Sequence, residues 1–158
     1  MKKLWAPWRL EYVQGTDEVE GCVFCRAAEG DDEEQLVVHR GEHGFALLNK
    51  FPYASGHLLV APYRHGANFA DLEDVEALEL HRLAASGIAA LASVYRAEGY
   101  NLGWNIGRIA GAGIVDHGHL HVVPRWGGDT NFMPVLADIR VIPEHLRETR
   151  RKLTAAWR

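Results

Sequence analysis

The chain has no long hydrophobic run, no excess of basic charge and only two cysteines. No apolar stretch is long enough to span a bilayer, which excludes a transmembrane helix. Met1-Lys2-Lys3 is basic, but Trp5-Ala6-Pro7-Trp8-Arg9 interrupts any apolar core behind it, so a secretory signal is not expected. These absences together lead us to expect a cytoplasmic protein with no membrane partner. A formal net charge of −4 argues against nucleic-acid binding by bulk charge, while leaving room for a small anion in a locally positive pocket. There is no internal repeat, low-complexity tract or linker. The 158 residues therefore read as a single domain, 1–158, large enough for a sizeable core.

The two cysteines, Cys22 and Cys25, form one C-x-x-C pair. In a reducing compartment such a pair is either half of a zinc site or a redox pair. A thioredoxin-like pair opens a helix within a βαβ pattern. Here the pair lies between the polar stretch Gly15 to Gly21 and the acidic run Asp31-Asp32-Glu33-Glu34, a context that favours a zinc knuckle over segment 15–30. Two more ligands are then required, and histidine is the expected source.

Short apolar runs bounded by turn residues predict strands over Leu36–His39, Phe45–Asn49, His57–Ala61, Asn101–Ile106 and His117–Val123. Pro62 limits the third. Leu72, Val75, Leu78, Leu83, Ile88, Leu91 and Val94 recur at helical spacing, with Asn68 or Asp71 as the expected cap and Gly99 as the expected end. Gly87 argues against one unbroken helix. A second helix is expected over Glu144–Trp157, after Pro143, with a solvated basic face of Arg147, Arg150, Arg151 and Lys152. Trp5 and Trp8 read as packing anchors. Strands, a long helix and a terminal helix make an α+β fold with an antiparallel sheet of about five strands.

The run Asp116-His117-Gly118-His119-Leu120-His121-Val122-Val123 carries the chemistry. In a strand His117, His119 and His121 share one face. Such a row is either a metal site or a site for transferring an electrophilic group, because imidazole is nucleophile, acid, base or ligand near neutral pH. On the transfer reading, His119 attacks phosphorus, giving a phosphoramidate, and His121 contacts the same phosphate. The Gly-rich loop Gly107–Gly113 offers main-chain N–H groups for an anion, chiefly at Gly111, Ala112 and Gly113, and Asn105 adds an amide. If all three histidines instead bind metal, a metal-activated water replaces the nucleophile. In an intermediate arrangement His117 joins Cys22, Cys25 and one further histidine, leaving His119 and His121 for chemistry.

His117-Gly118-His119-Leu120-His121-Val122-Val123 resembles the histidine triad motif, His-φ-His-φ-His-φ-φ, departing from it only at Gly118. Leu4-Trp5-Ala6-Pro7-Trp8-Arg9, Cys22-Val23-Phe24-Cys25, Gly56-His57-Leu58-Leu59-Val60-Ala61-Pro62 and the segment from Val123 to Val135 extend the likeness over nearly the whole chain, toward a bacterial subgroup similar to diadenosine tetraphosphate phosphorylases. The resemblance implies a nucleotidyl–histidine intermediate on His119. It also implies a purine nucleotide whose ribose meets Asn49, a fourth active-site histidine at His57, and a homodimer with a continuous sheet. For zinc-containing relatives it implies a ligand set of Cys22, Cys25, His65 and His117, and it implies no organic cofactor. Gly118 puts packing behind the motif, more than chemistry, in question.

The expected activity is therefore cleavage of dinucleoside polyphosphates, with inorganic phosphate as acceptor. The rivals are a hydrolase using water on the same compounds or on nucleoside phosphoramidates, and a nucleotide-binding adaptor without turnover. The segment 127–158 is a C-terminal extension that smaller relatives lack.

Overall fold

The computed structural model describes residues 21–66, 68–129 and 144–158. Trp5, Trp8, Pro143 and the motif segment beyond Asp129 lie outside them. Among the described residues the order is α1 (Val23–Glu29), β1 (Val37–Arg40), β2 (Gly44–Leu48), β3 (Leu58–Pro62), α2 (Asp74–Tyr95), β4 (Gly99–Trp104), β5 (Leu120–Arg125) and α3 (Leu146–Ala156). The strands form one antiparallel five-stranded sheet ordered β1-β2-β3-β5-β4. The α+β class and strand number agree with the sequence reading.

Both faces of the central strands are covered, so every residue of β2 and β3 is buried. Alternation divides them between two cores. Ala46, Leu48, Leu58, Val60 and Val122 pack with Leu80, Leu83, Leu91 and Leu153 beneath α2 and α3. Phe45, Leu47, Leu59 and Ala61 pack on the opposite face with Phe24 and Ala27 of α1. His121 pairs with Leu59 across the ladder, which sets its side chain on the α1 face, while Leu120 and Val122 face the helices. The C-x-x-C segment and the histidine segment thus meet over one face of the sheet.

The elements differ from expectation at several ends. The long helix begins at Asp74, not near Asp71, because Glu73 and Glu76 form a reciprocal capping box. Asn68 instead caps the separate 3-10 turn Phe69–Asp71. The helix stops at Tyr95, where Arg96 takes the left-handed conformation (φ 52°), and Gly99 opens β4. Gly87 does not break it. A Cβ at Gly87 would come 2.9 Å from Leu58 Cδ1 and 3.3 Å from the Trp157 ring, so glycine there permits close packing of helix on sheet and on the chain end. The expected strand His117–Val123 begins only at Leu120: His117 lies in a bend, and its main-chain oxygen accepts from the His119 ring instead of from a neighbouring strand. Gly118 therefore sits ahead of the first paired residue, and its departure from the motif falls outside the ladder.

The basic face of α3 is partly engaged. Arg150 Nε donates to Val37 O (2.7 Å), Arg151 pairs with Glu148 and Lys152 with Glu144. The acidic run is a turn in which Asp31 Oδ1 accepts from the Glu33 and Glu34 amides and Asp32 pairs with Arg40.

Gly56 ends the loop between β2 and β3 with φ +80°, and a Cβ there would come 2.5 Å from Leu91 Cδ2. Leu91 is fully buried and has little room to retreat. Gly56→Ala combines positive-φ strain with overpacking and is expected to destabilise the protein by about 1–3 kcal/mol, read as a lowered urea midpoint at unchanged m.

Candidate active site

Four imidazoles and one phenyl ring form a contiguous row on the α1 face. The Phe24 ring lies 5.1 Å from His117 and 4.7 Å from His119, His119 lies 4.9 Å from His121, and His121 lies 5.1 Å from His57. His57 and His117 are fully buried and His119 is 6% exposed. The three triad histidines share a side as the alternation argument requires, although only His121 belongs to a strand.

Each ring is oriented by a specific partner. His119 Nδ1 lies 2.9 Å from His117 O, and a carbonyl only accepts, so Nδ1 carries the proton. The neutral ring then keeps its lone pair on Nε2. His117 Nε2 lies 2.9 Å from Pro62 O and donates to it by the same logic, freeing Nδ1 as a ligand atom. His121 Nδ1 lies 2.9 Å from His57 Nε2. His121 Nε2 is buried and has no hydrogen-bond partner among the described residues.

Burial controls the charge of these rings. It pushes the His117 and His119 imidazoles below their ordinary value, against the upward pull of the carbonyls they touch. Burial, and then the neighbouring His119, pushes His121 down to about 4. His119 and His121 are thus neutral at pH 7, as a nucleophile and a neutral hydrogen-bonding group require.

Cys22, Cys25, His65 and His117 each offer one ligand atom, and these atoms lie within 4.8 Å of one another. His117 Nδ1 is 3.3 Å from Cys22 Sγ and 3.7 Å from Cys25 Sγ, and His65 Nδ1 is 3.3 Å from Cys25 Sγ. Tetrahedral zinc, with sulfur at about 2.3 Å and nitrogen at about 2.0 Å, needs ligand atoms roughly 3.3–3.8 Å apart, so the donor set fits. Of the sequence alternatives, the structure brings together the one in which His117 joins the cysteines and His119 and His121 stay apart from them.

The surrounding chain fixes this cluster. Arg40, paired with Asp32, donates to Ala27 O, Ala28 O and Gly30 O and so satisfies carbonyls at the end of α1. Arg64, next to His65, makes a two-point ion pair with the buried Glu76 of the α2 cap. Gly66 N donates to Asp116 O (3.1 Å), joining the His65 loop to the triad segment.

The remaining expected site residues are less uniform. Asn49 Oδ1 accepts from Phe51 N (2.9 Å) and its Nδ2 lies 3.3 Å from His57 Nδ1, so the amide is oriented by its own loop. The Gly-rich loop contains a 3-10 turn, Arg108–Ala110, in which the Gly111 and Ala112 amides already donate to Arg108 O and Gly107 O. Those two amides are internal in this geometry, contrary to the expectation that they face an anion. Asn105 Nδ2 donates to Gly111 O (3.4 Å). Sequence reasoning missed Phe24, between the cysteines, and Tyr53, whose ring lies 4.6 Å from His57 and 5.9 Å from His121. Phe24 was legible only as the one aromatic of the C-x-x-C pair, and Tyr53 had no signal beyond a loop aromatic.

A family model for the HIT domain matches residues 31–128. The chain is 39% identical, over 99% of its length and 85% of the relative, to a Mycobacterium tuberculosis protein named AP-4-A phosphorylase. It is 30% identical to adenosine 5′-monophosphoramidase HNT1 of Saccharomyces cerevisiae, over 66% of this chain and 62% of that protein. Its fold is similar to the crystal structure of a Zn-bound histidine triad family protein from Mycobacterium smegmatis, with a TM-score of 0.67 and 28% identity, covering 86% of this chain and 92% of that one.

Unfolded, the His121 ring binds a proton near 6.5; folded, only near 4. Between these values the unfolded chain holds more protons, so stability present above pH 6.5 is lost as pH falls toward 4. We expect the urea midpoint to drop from pH 7 to pH 5, and His121→Gln to flatten part of that slope.

Proposed function

The chain belongs to the HIT domain family, and on that premise we propose that it is an enzyme cleaving dinucleoside polyphosphates by nucleotidyl transfer through His119. The observation that carries the reading is the hydrogen bond from His119 Nδ1 to His117 O, which leaves Nε2 as the nucleophile in a buried, neutral ring. In the first step Nε2 attacks an α-phosphorus, the N–P bond forms, and the P–O bond to the departing nucleotide breaks. In the second, an oxygen of inorganic phosphate attacks the same phosphorus and the N–P bond breaks, restoring His119. Two displacements replace one difficult one. His121, beside His119, hydrogen-bonds the transferring group, and Asn105 and the loop through Gly113 contact the polyphosphate once the loop rearranges. Asn49 meets the ribose.

Similarity over nearly the whole length to a protein named AP-4-A phosphorylase favours phosphate as acceptor. The shorter match to a phosphoramidase supports water as the second reading. We further propose one HIT domain over 1–158, with the knuckle at 15–30 and the extension at 127–158, acting in the cytoplasm. No helix of the described residues is long and apolar enough to cross a membrane. Cys22, Cys25, His65 and His117 would hold zinc, which supplies a structural cross-link between the knuckle, the β3 end and the triad segment. A homodimer is supported by β4, which among the described residues pairs only with β5, and by Leu102, Val75 and Leu78, each about half exposed.

Diadenosine tetraphosphate should yield ATP and ADP only when phosphate is present, followed by nucleotide chromatography; equal turnover without phosphate would establish the hydrolase instead. His119→Ala should lower kcat by at least about a thousandfold and abolish a trapped nucleotidyl adduct. Full activity in that variant would sink the covalent route. Elemental analysis of protein prepared without chelators should find about one zinc per chain, lost in Cys22→Ala.

A further inference from the structure

We propose that Tyr53 is a positioning residue for this reaction: its main-chain N–H and its ring hold the His57–His121 pair so that His121 presents a proton on Nε2 to the transferring group. The proposal rests on the phosphate chemistry above for its purpose, but the hydrogen-bond directions stand without it.

A main-chain N–H can only donate. Tyr53 N lies 3.0 Å from His57 Nδ1, and Asn49 Nδ2 approaches the same nitrogen at 3.3 Å. The Asn49 amide cannot be reversed without loss, because its Oδ1 already accepts from Phe51 N. His57 Nδ1 therefore carries no proton, and the neutral ring carries it on Nε2. That proton points along the 2.9 Å contact to His121 Nδ1, which must accept. The neutral His121 ring is left with its proton on Nε2, the buried atom with no partner among the described residues. A buried donor that lacks a protein acceptor is placed to bond a ligand oxygen or a water.

The consequence is a pair of adjacent imidazoles in opposite tautomers. His119 is protonated on Nδ1 and offers a lone pair on Nε2. His121 is protonated on Nε2 and offers a hydrogen bond. Reverse the His57 tautomer and the His121 proton moves to Nδ1. The site would then hold two lone pairs and no donor for the oxygen that gains charge. The Tyr53 ring adds a mechanical constraint, lying 4.6 Å from the His57 ring and stacking on His121 with an interplanar angle of 12°. Neither contact uses the phenolic oxygen.

The test is long-range ¹H–¹⁵N correlation on the free, full-length protein labelled at histidine, which reports the protonated nitrogen of each ring, together with kcat and KM on diadenosine tetraphosphate. The expected wild-type pattern is Nε2–H for His57 and His121 and Nδ1–H for His119. Tyr53→Phe should match wild type in both readouts. Tyr53→Ala keeps the N–H but loses the ring, and kcat should fall about tenfold or more while KM moves less than about threefold. Tyr53→Pro removes the N–H, and the His57 and His121 signals should become those of mixed tautomers. A folded Tyr53→Ala with wild-type kcat would overturn the proposal, as would Nδ1–H on wild-type His121. If Tyr53→Pro does not fold, the Ala and Phe variants decide. The expected wild-type pattern in a protein that does not turn over the dinucleotide would overturn the substrate reading alone.

Discussion

The main-chain oxygen of His117 is the point on which the site depends. It accepts the Nδ1 proton of His119, and so decides which nitrogen of that ring keeps its lone pair. A carbonyl can fix a tautomer only if it is itself immobile. His117 is held at Nε2 by Pro62 O, at the end of a strand buried along its whole length, and its Nδ1 faces the two thiols of the knuckle. A zinc ion across Cys22, Cys25, His65 and His117 would tie that residue to α1 and to the β3 end. The chemistry of a proposed phosphate transfer is thereby coupled to a cluster that touches no phosphate.

The C-x-x-C segment also reaches the site through packing. Phe24 lies between the two cysteines in sequence and against both the His117 and His119 rings in space. It is completely buried, so it contributes to the second core and to the wall of the site at once. Burial on this face has an electrostatic result as well as a packing one. It keeps the triad imidazoles neutral, which costs stability in acid and leaves each ring a lone pair at neutral pH. Arg40 and Arg64 act further out, one at the C-terminal carbonyls of α1 and one beneath the His65 loop, and both work through ion pairs with the carboxylates of Asp32 and Glu76.

Much of this was legible in the sequence because it depends on residue type and spacing. Three alternating histidines require one face, C-x-x-C requires partners, and short apolar runs between turn residues require a sheet. What the sequence did not disclose was set by particular side-chain hydrogen bonds and packing contacts. The His117 and His119 backbone lies outside the ladder and the His117 oxygen accepts from the His119 ring, which no periodicity registers. Glu73 displaced Asn68 as the helix cap because Glu76 answers Arg64 from across the loop. Gly87, read locally as a breaker, is a packing glycine whose neighbours Leu58 and Trp157 are 29 and 70 residues away in sequence. The Gly-rich loop shows the converse limit. Glycine content allows an anion cradle, but here the turn Arg108–Ala110 consumes the Gly111 and Ala112 amides within the loop.

That internal bonding has a consequence for how a polyphosphate enters. Two amides that donate within a turn can reach an anion only if the turn opens, whereas the side chains of the triad are already oriented without ligand. On the proposed mechanism, orientation of His119 and contact with the anion fall to different parts of the fold. The first rests on a buried row of rings between two cores. The second rests on a loop whose Ile109 side chain is fully exposed. Binding energy from the polyphosphate would be spent on reshaping the loop and not on aligning His119, whose ring is oriented in advance. The constraint at His117 is what makes this division possible, because it holds the His119 ring in place whether or not the loop has opened.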